Sequence, residues 1–519
     1  MKLSSIIAAL LCCTLGLAQS SDTTIQRPRR VQPGMASAPT AEAGGETTAG
    51  SVAKNPFPTA PVHTKHTWGN SLPYTATCGF IPIKNADGET EASMFYEAYT
   101  KDGADPLHRP LTFCFNGGPG SSSVWLHMGA IGPKRAKMND DGSLPPPPFE
   151  LVENEESWLP FTDIVMIDMI GAGYSRPTKP EYGKKYWGLE GDLQAFTAFI
   201  RSFLSEYERW RSPLFVAGES YGGIRSAGLT DTLLQQGIAL NGVISISGVM
   251  NYQMISQGKG NDLPFITYLP SETATAFYHH KLDARLQANF DRTIAESEQF
   301  ASGEYAAALL KGDTLPEAQK KHIATRAAEL TGLSPIYVER ANLRIRPGGF
   351  RAELLRSNWD IVGRYDARLI GHNSDGNQQN PEYDPSDAAT TPVFTAAFND
   401  YIRRELNFKT DEPYRTTGYA FIGQWDYGTR GGFPDTSERL RAALTQNPYM
   451  KVMLVCGWYD LACPYYGMRY TMSHLGEEEK LQKNIRFRYY PAGHMMYIDS
   501  ASRKKLQADV RQFVEDATR

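Results

Sequence analysis

The apolar positions change their rhythm along the chain. From Thr64, two stretches, PYTATCGFIPI and SMFYEAYT, read as strands split by the turn Asn85-Ala86-Asp87-Gly88, which predicts an antiparallel pair. Continuous apolar runs follow: LTFCFNGGPG, FTDIVMIDMIGAGYS, LFVAG, VISISGVM and, near the end, KVMLVCG and IRFRYYPAG. Such runs suit strands covered on both faces. Leu189, Leu193, Phe196, Ile200, Phe203 and Tyr207 recur every three or four positions, predicting a helix from Leu189 to Trp210 that Ser212-Pro213 breaks. A closing helix is expected from Arg503. Strands alternating with helices imply an α/β protein with a mostly parallel central sheet and helices on both faces.

Between about Asn251 and Thr416 the strand signals become scarce. ARLQANFDRTIAESEQF, LPEAQKKHIATRAAEL and SPIYVERANL are helical, the last with Ser334 as N-cap and Pro335 at the first helical position. This region reads as a helical cap inserted over the sheet. The expected organisation is a signal peptide at 1–18, a Ser/Thr/Ala/Pro-rich leader at 19–61, core at 62–250, cap at 251–415 and the rest of the core at 416–519.

The signal reading rests on Lys2, an apolar run, and small residues at Gly16 and Ala18. It makes the mature chain an exported protein, periplasmic or secreted. No later apolar run is long enough to predict stable membrane insertion. The sequence holds no N-x-S/T sequon, which favours a bacterial periplasm over a eukaryotic secretory route. At 41% hydrophobic and 21% charged the 519 residues have a globular composition. A net charge of −4 gives no basic excess for nucleic acid. Of six cysteines, Cys12 and Cys13 fall in the signal, leaving Cys78, Cys114, Cys456 and Cys463. Cys78 and Cys114 read as buried strand residues. Cys463 is either a free thiol lining the site or a partner for Cys456. No cofactor is expected: neither a phosphate loop nor a dinucleotide fingerprint is present, and the pairs His63/His66 and His279/His280 lack a carboxylate set for a metal.

The chemistry centres on Ser220 in G-E-S-Y-G, between Gly218 and Gly222. It follows the strand LFVAG and opens the helical stretch YGGIRSAGLTDTLLQQ. Strand, sharp turn, helix is the context a nucleophile elbow requires. A serine hydroxyl needs a base, and a histidine held by a carboxylate supplies one. His494, in AGHMMY after the strand IRFRYY, and Asp460, in GWYD after KVMLV, fit in the order Ser, Asp, His. The oxyanion hole is assigned to the backbone N–H groups of Tyr221 and of Gly118 in the loop Asn116-Gly117-Gly118-Pro119-Gly120.

Taken together, FNGGPGSSS, IDMIGAGYS, GESYGG, GWYD and AGHMMY resemble the serine carboxypeptidases of the α/β-hydrolase fold, over about residues 75–250 and 415–515. The resemblance implies cleavage of C-terminal residues from peptides or proteins. It implies that Asn116, Gly117 and Glu219 recognise the free carboxylate. The family's second glutamate is Ala130 here, so the carboxylate pair is incomplete; Lys134 and Arg135 are the nearby candidates to compensate. The family's glycine-loop cysteine is Ser121. A serine esterase, an acyltransferase or a broader peptidase on the same fold, and a non-catalytic binding protein, remain the alternatives. Side-chain preference, oligomeric state and biological substrate are not legible.

Overall fold

The computed structural model describes residues 57–418, 423–430 and 432–519. The signal segment and nearly all of the leader lie outside them. Nine strands of the main sheet are β1 (Val62–Trp68), β2 (Leu72–Lys84), β3 (Thr90–Lys101), β4 (Leu111–Phe115), β5 (Asp163–Ile167), β6 (Leu214–Glu219), β7 (Gly242–Ile246), β8 (Lys451–Gly457) and β9 (Ile485–Tyr490). They lie in the order β1-β2-β3-β5-β4-β6-β7-β8-β9, and the two-residue strand Arg176–Pro177 pairs with β3. β1, β2, β3 and β5 are antiparallel neighbours, with Phe80 opposite Phe95 in the β2–β3 pair. From β5 onward every pairing is parallel. The arrangement is the α/β-hydrolase fold.

Side chains alternate across these strands, and both faces are dry. Leu111, Phe113, Phe115, Val165, Ile167 and Val216 face a core shared with Leu193, Phe196, Ile200 and Phe203 of the helix Leu189–Glu206. Their neighbours Cys114, Ile164, Met166, Phe215 and Ala217 face a second core with Val510, Phe513 and Val514 of the helix Ser500–Thr518. This two-sided burial is why the strands read as unbroken apolar runs.

The helix predicted to reach Trp210 stops at Glu206, and Glu208 takes a left-handed φ of 54° just beyond. The closing helix starts at Ser500, three residues before Arg503, with Asp499 capping the Ser502 N–H. Within the cap the Ser334 side chain accepts from the Tyr337 N–H, as the N-cap reading requires. Two long helices carried no periodic stripe: Leu263–Tyr278, buried nearly all round and holding Pro270, and Pro385–Arg404, holding Pro392. The second packs Val393, Phe394, Phe398 and Tyr401 into the core beneath the sheet, away from the other cap helices. A small antiparallel pair, Asp360–Val362 with Ile370–His372, completes the region. Among the described residues no helix is long and apolar enough to cross a membrane.

Candidate active site

Ser220 lies between the end of β6 and the helix Gly222–Gln235 with φ 63°, a left-handed conformation that a serine adopts only when its surroundings impose it. Its N–H donates to Ile246 O at 3.1 Å, and its carbonyl accepts from Gly223 and Val249 at 2.8 and 3.2 Å. A Cβ on Gly218 would stand 2.3 Å from Gly222 O, so the tight elbow needs glycine there.

The glycine loop rests directly on this elbow. A Cβ on Gly117 would meet Tyr221 N at 2.3 Å and Glu219 O at 2.6 Å. Among the described residues, neither the Gly118 nor the Tyr221 N–H donates to a protein acceptor. A buried arginine that sequence reading overlooked holds the loop. Arg225 donates to Asn116 O at 2.6 Å and pairs with Asp192 through two nitrogens at 2.7 and 3.2 Å. Phe196 and Phe115 flank its guanidinium, with ring centres 4.4 and 5.2 Å away. Its only sequence signal was a charge on the apolar side of a helix.

His494 and Asp460 arrive from the ends of β9 and β8. Nδ1 of His494 lies 2.7 Å from Asp460 Oδ2, and Asp460 Oδ1 accepts from the Ala462 and Cys463 N–H groups at 2.7 and 2.9 Å. A carboxylate so placed keeps the proton on Nδ1 and leaves Nε2 as the acceptor. Burial by itself would lower the His494 pKa, but Asp460, aided by Glu219, outweighs it and raises the pKa above the usual value. The Ser247 hydroxyl donates to His494 O at 2.7 Å. Ser220, His494, Gly118 and Asn116 line one cleft of about 160 Å³. Among the described residues no hydrogen bond joins Ser220 to His494; the Ser220 hydroxyl lies 4.0 Å from Cys463 Sγ. Loose catalytic contacts of this kind are common in unliganded sites. Cys456 and Cys463 are free thiols, which removes the disulfide alternative, and Cys78 and Cys114 are buried strand residues.

Glu219 is buried with both oxygens occupied. Asn116 Nδ2 donates to one at 2.9 Å and the Tyr497 hydroxyl to the other at 2.6 Å. Asn116 Oδ1 accepts from Leu126 N at 3.0 Å, which fixes the amide orientation. Burial, with a contribution from Asp460, pushes the Glu219 pKa up to about 7. Ala130 is buried beside Gly129, whose lack of a side chain makes room for the Tyr497 ring. A tyrosine hydroxyl therefore stands against Glu219, and the resemblance alone did not bring Tyr497 forward. Lys134 faces Glu153 and Glu405 at 3.9 and 3.7 Å, and neither it nor Arg135 lines the cleft. The cap contributes Arg364, Tyr365, Asp387 and Thr390 to the lining.

The sequence profile of the serine carboxypeptidases matches residues 68–501. The chain belongs to the serine carboxypeptidase family. Among similar proteins is "Serine carboxypeptidase-like 8" of Arabidopsis thaliana, 30% identical over 172 residues, covering 32% of this chain and 36% of the relative. Another is "Pheromone-processing carboxypeptidase KEX1" of Saccharomyces cerevisiae, 31% identical over 157 residues, covering 28% of this chain and 20% of the relative. The chain thus spans about a third or less of the length of these curated serine carboxypeptidase relatives. A proline iminopeptidase structure from Mycobacterium smegmatis aligns at a TM-score of 0.36 and 13% identity, over 85% of this chain and 99% of the other.

Proposed function

We propose that this chain is an exported serine carboxypeptidase that removes C-terminal residues from peptides. The observation that carries this reading is the buried His494–Asp460 pair sharing a cleft with Ser220 on its elbow. In the proposed mechanism Ser220 Oγ attacks the scissile carbonyl carbon while His494 Nε2 takes its proton. The carbonyl oxygen becomes an oxyanion and accepts from the Gly118 and Tyr221 N–H groups. The intermediate collapses, the C–N bond breaks, and His494 returns the proton to the departing amine. Water, deprotonated by His494, then attacks the acyl-enzyme and releases the shortened peptide and Ser220. Asp460 holds the imidazole and offsets its charge when protonated. Asn116, Gly117 and Glu219 receive the terminal carboxylate. Residues 251–415 act as the cap, with 62–250 and 416–519 forming the core, and the mature protein is periplasmic or secreted.

Ala130 favours a second reading, an esterase or acyltransferase with the same triad. One N-blocked peptide, as free acid and as C-terminal amide, followed by mass spectrometry from pH 4 to 8, separates the two. Sequential loss of residues from the acid alone is expected. Equal cleavage of both, or ester hydrolysis without peptide cleavage, overturns the carboxypeptidase reading.

A further inference from the structure

The segment Gly363–Asp366 leaves the cap and is tied into both loops that carry the base. Leu461 N, next to Asp460, donates to Arg364 O at 3.0 Å, and His494 N donates to Tyr365 O at 2.5 Å. Asp366 Oδ2 accepts from Gly493 N at 3.1 Å. A Cβ on Gly493 would stand 2.3 Å from Tyr365 O, so the contact is close as well as bonded. On its own side the segment is fixed by Arg364 N to Asp384 at 2.9 Å and Tyr365 N to Ser386 at 3.0 Å. The position of Arg364 is therefore set by the same backbone that sets His494.

Its side chain enters the catalytic cleft. Several arginines of the same region are paired: Arg344 with Asp262, Arg356 with Glu353, and Arg368 with Asp366 and Asp499. Among the described residues no carboxylate pairs with the Arg364 guanidinium. Its one side-chain hydrogen bond is a long contact to the Tyr365 hydroxyl at 3.4 Å, with the ring centre 5.1 Å away. Asp387 lines the same cleft but forms no ion pair with it. Arg364 is thus the one lysine or arginine among the described residues lining the cleft. A guanidinium with open donors beside a nucleophile is suited to a planar anion, because its fork matches a carboxylate. Glu219 lines the same cleft but forms no ion pair with Arg364; its oxygens accept from Asn116 and Tyr497.

We infer that Arg364 is a specificity-determining residue that holds a carboxylate of the substrate beside Ser220. This rests on the proposed hydrolysis at Ser220 but deepens it, because it names a cation of the cleft that can receive a substrate carboxylate. The carboxylate belongs either to the chain terminus or to an acidic side chain next to the scissile bond.

Calorimetric titration of the full chain tests the inference without requiring turnover. The probes are N-acetyl-phenylalanine, its amide, and N-acetyl-glutamic acid α-amide. The wild type is expected to bind at least one of the two acids about tenfold or more tightly than the neutral amide. Arg364→Gln is expected to weaken that acid about 10- to 100-fold, with Arg364→Lys in between. Selective binding of N-acetyl-phenylalanine assigns Arg364 to the terminus; selective binding of the glutamyl amide assigns it to a side chain. Equal affinity for acids and amide in the wild type, absence of binding included, overturns the inference. So does an equal loss for Gln and Lys, which marks a packing role. A wild type that cleaves no peptide but binds acids through Arg364 removes the carboxypeptidase reading and leaves this one standing.

Discussion

The catalytic cleft has two walls, built in different ways. One is made of sheet ends: Asn116 follows β4, Glu219 ends β6, Ser220 follows it, and His494 follows β9, with Asp460 after β8 bonded behind it. The other is cap: Arg364 and Tyr365 in a connecting segment, Asp387 and Thr390 on the helix Pro385–Arg404. Parallel strands deliver the first wall through backbone bonds between neighbouring strands, so its residues hold their places whatever the substrate. The second wall comes from the inserted region and is tied to the first through the loops of Asp460 and His494. In the proposed mechanism bond chemistry falls to the sheet wall, and substrate choice to the cap wall together with Glu219. Changes to the triad and the glycine loop should depress all substrates together, and changes to the cap wall or to Glu219 should alter their ratios.

Ser220→Ala makes the largest break. Turnover of every substrate is expected to fall roughly a millionfold, with the melting temperature near that of the wild type. Wild-type-like turnover would sink the mechanism. Arg225→Ala comes next, because it leaves the buried Asp192 without its counter-ion in the core. A loss of about 3–5 kcal/mol in urea unfolding is expected; a loss below 1 kcal/mol would show that the pair carries no structural weight. Gly117→Ala forces a methyl into the elbow backbone. It should lower kcat for esters and peptides alike by about 10²–10³, the scale of a lost oxyanion donor. A change confined to one substrate class would contradict the division between the walls.

Glu219→Gln gives the smallest effect and the sharpest one, since Glu219 is the sheet-wall residue assigned to read substrate. The ratio of free-acid to amide hydrolysis should change by about tenfold; an unchanged ratio removes its recognition role. The pH profile follows from the same residue. His494 must be neutral to accept a proton, so kcat/KM rises through a pKa held above the usual histidine value. Glu219 ionises near 7 and then repels a substrate carboxylate, so the free-acid rate falls as pH rises through that point. The variant should lose the falling limb. Its rising limb should also move to lower pH, because Glu219 helps to hold the His494 pKa up. A falling limb retained in the variant would assign that ionisation elsewhere.

How far each wall was legible follows from the same contrast. The strand runs, the order of Ser220, Asp460 and His494, and the glycines of the loop could be read because sheet ends impose local residue requirements. Gly218 and Gly117 face backbone where a Cβ has no room. Arg364 could not be read, since its place depends on Leu461 and His494, which are distant in sequence. The helix Leu263–Tyr278 escaped for another reason: burial nearly all round erases the polar stripe, and Pro270 reads as a breaker. Tyr497 lay in plain view within AGHMMY, but nothing local tied its hydroxyl to Glu219, 278 positions away.

The Arg225 pair also bears on how the active site is held together. Three segments meet there: the loop of Asn116, the elbow helix, and the helix that carries Asp192. Without the helix Leu189–Glu206 in place the guanidinium lacks its counter-ion, and the bond to Asn116 O loses its support. One buried guanidinium thus ties the loop beside the nucleophile to a helix on the face of the sheet.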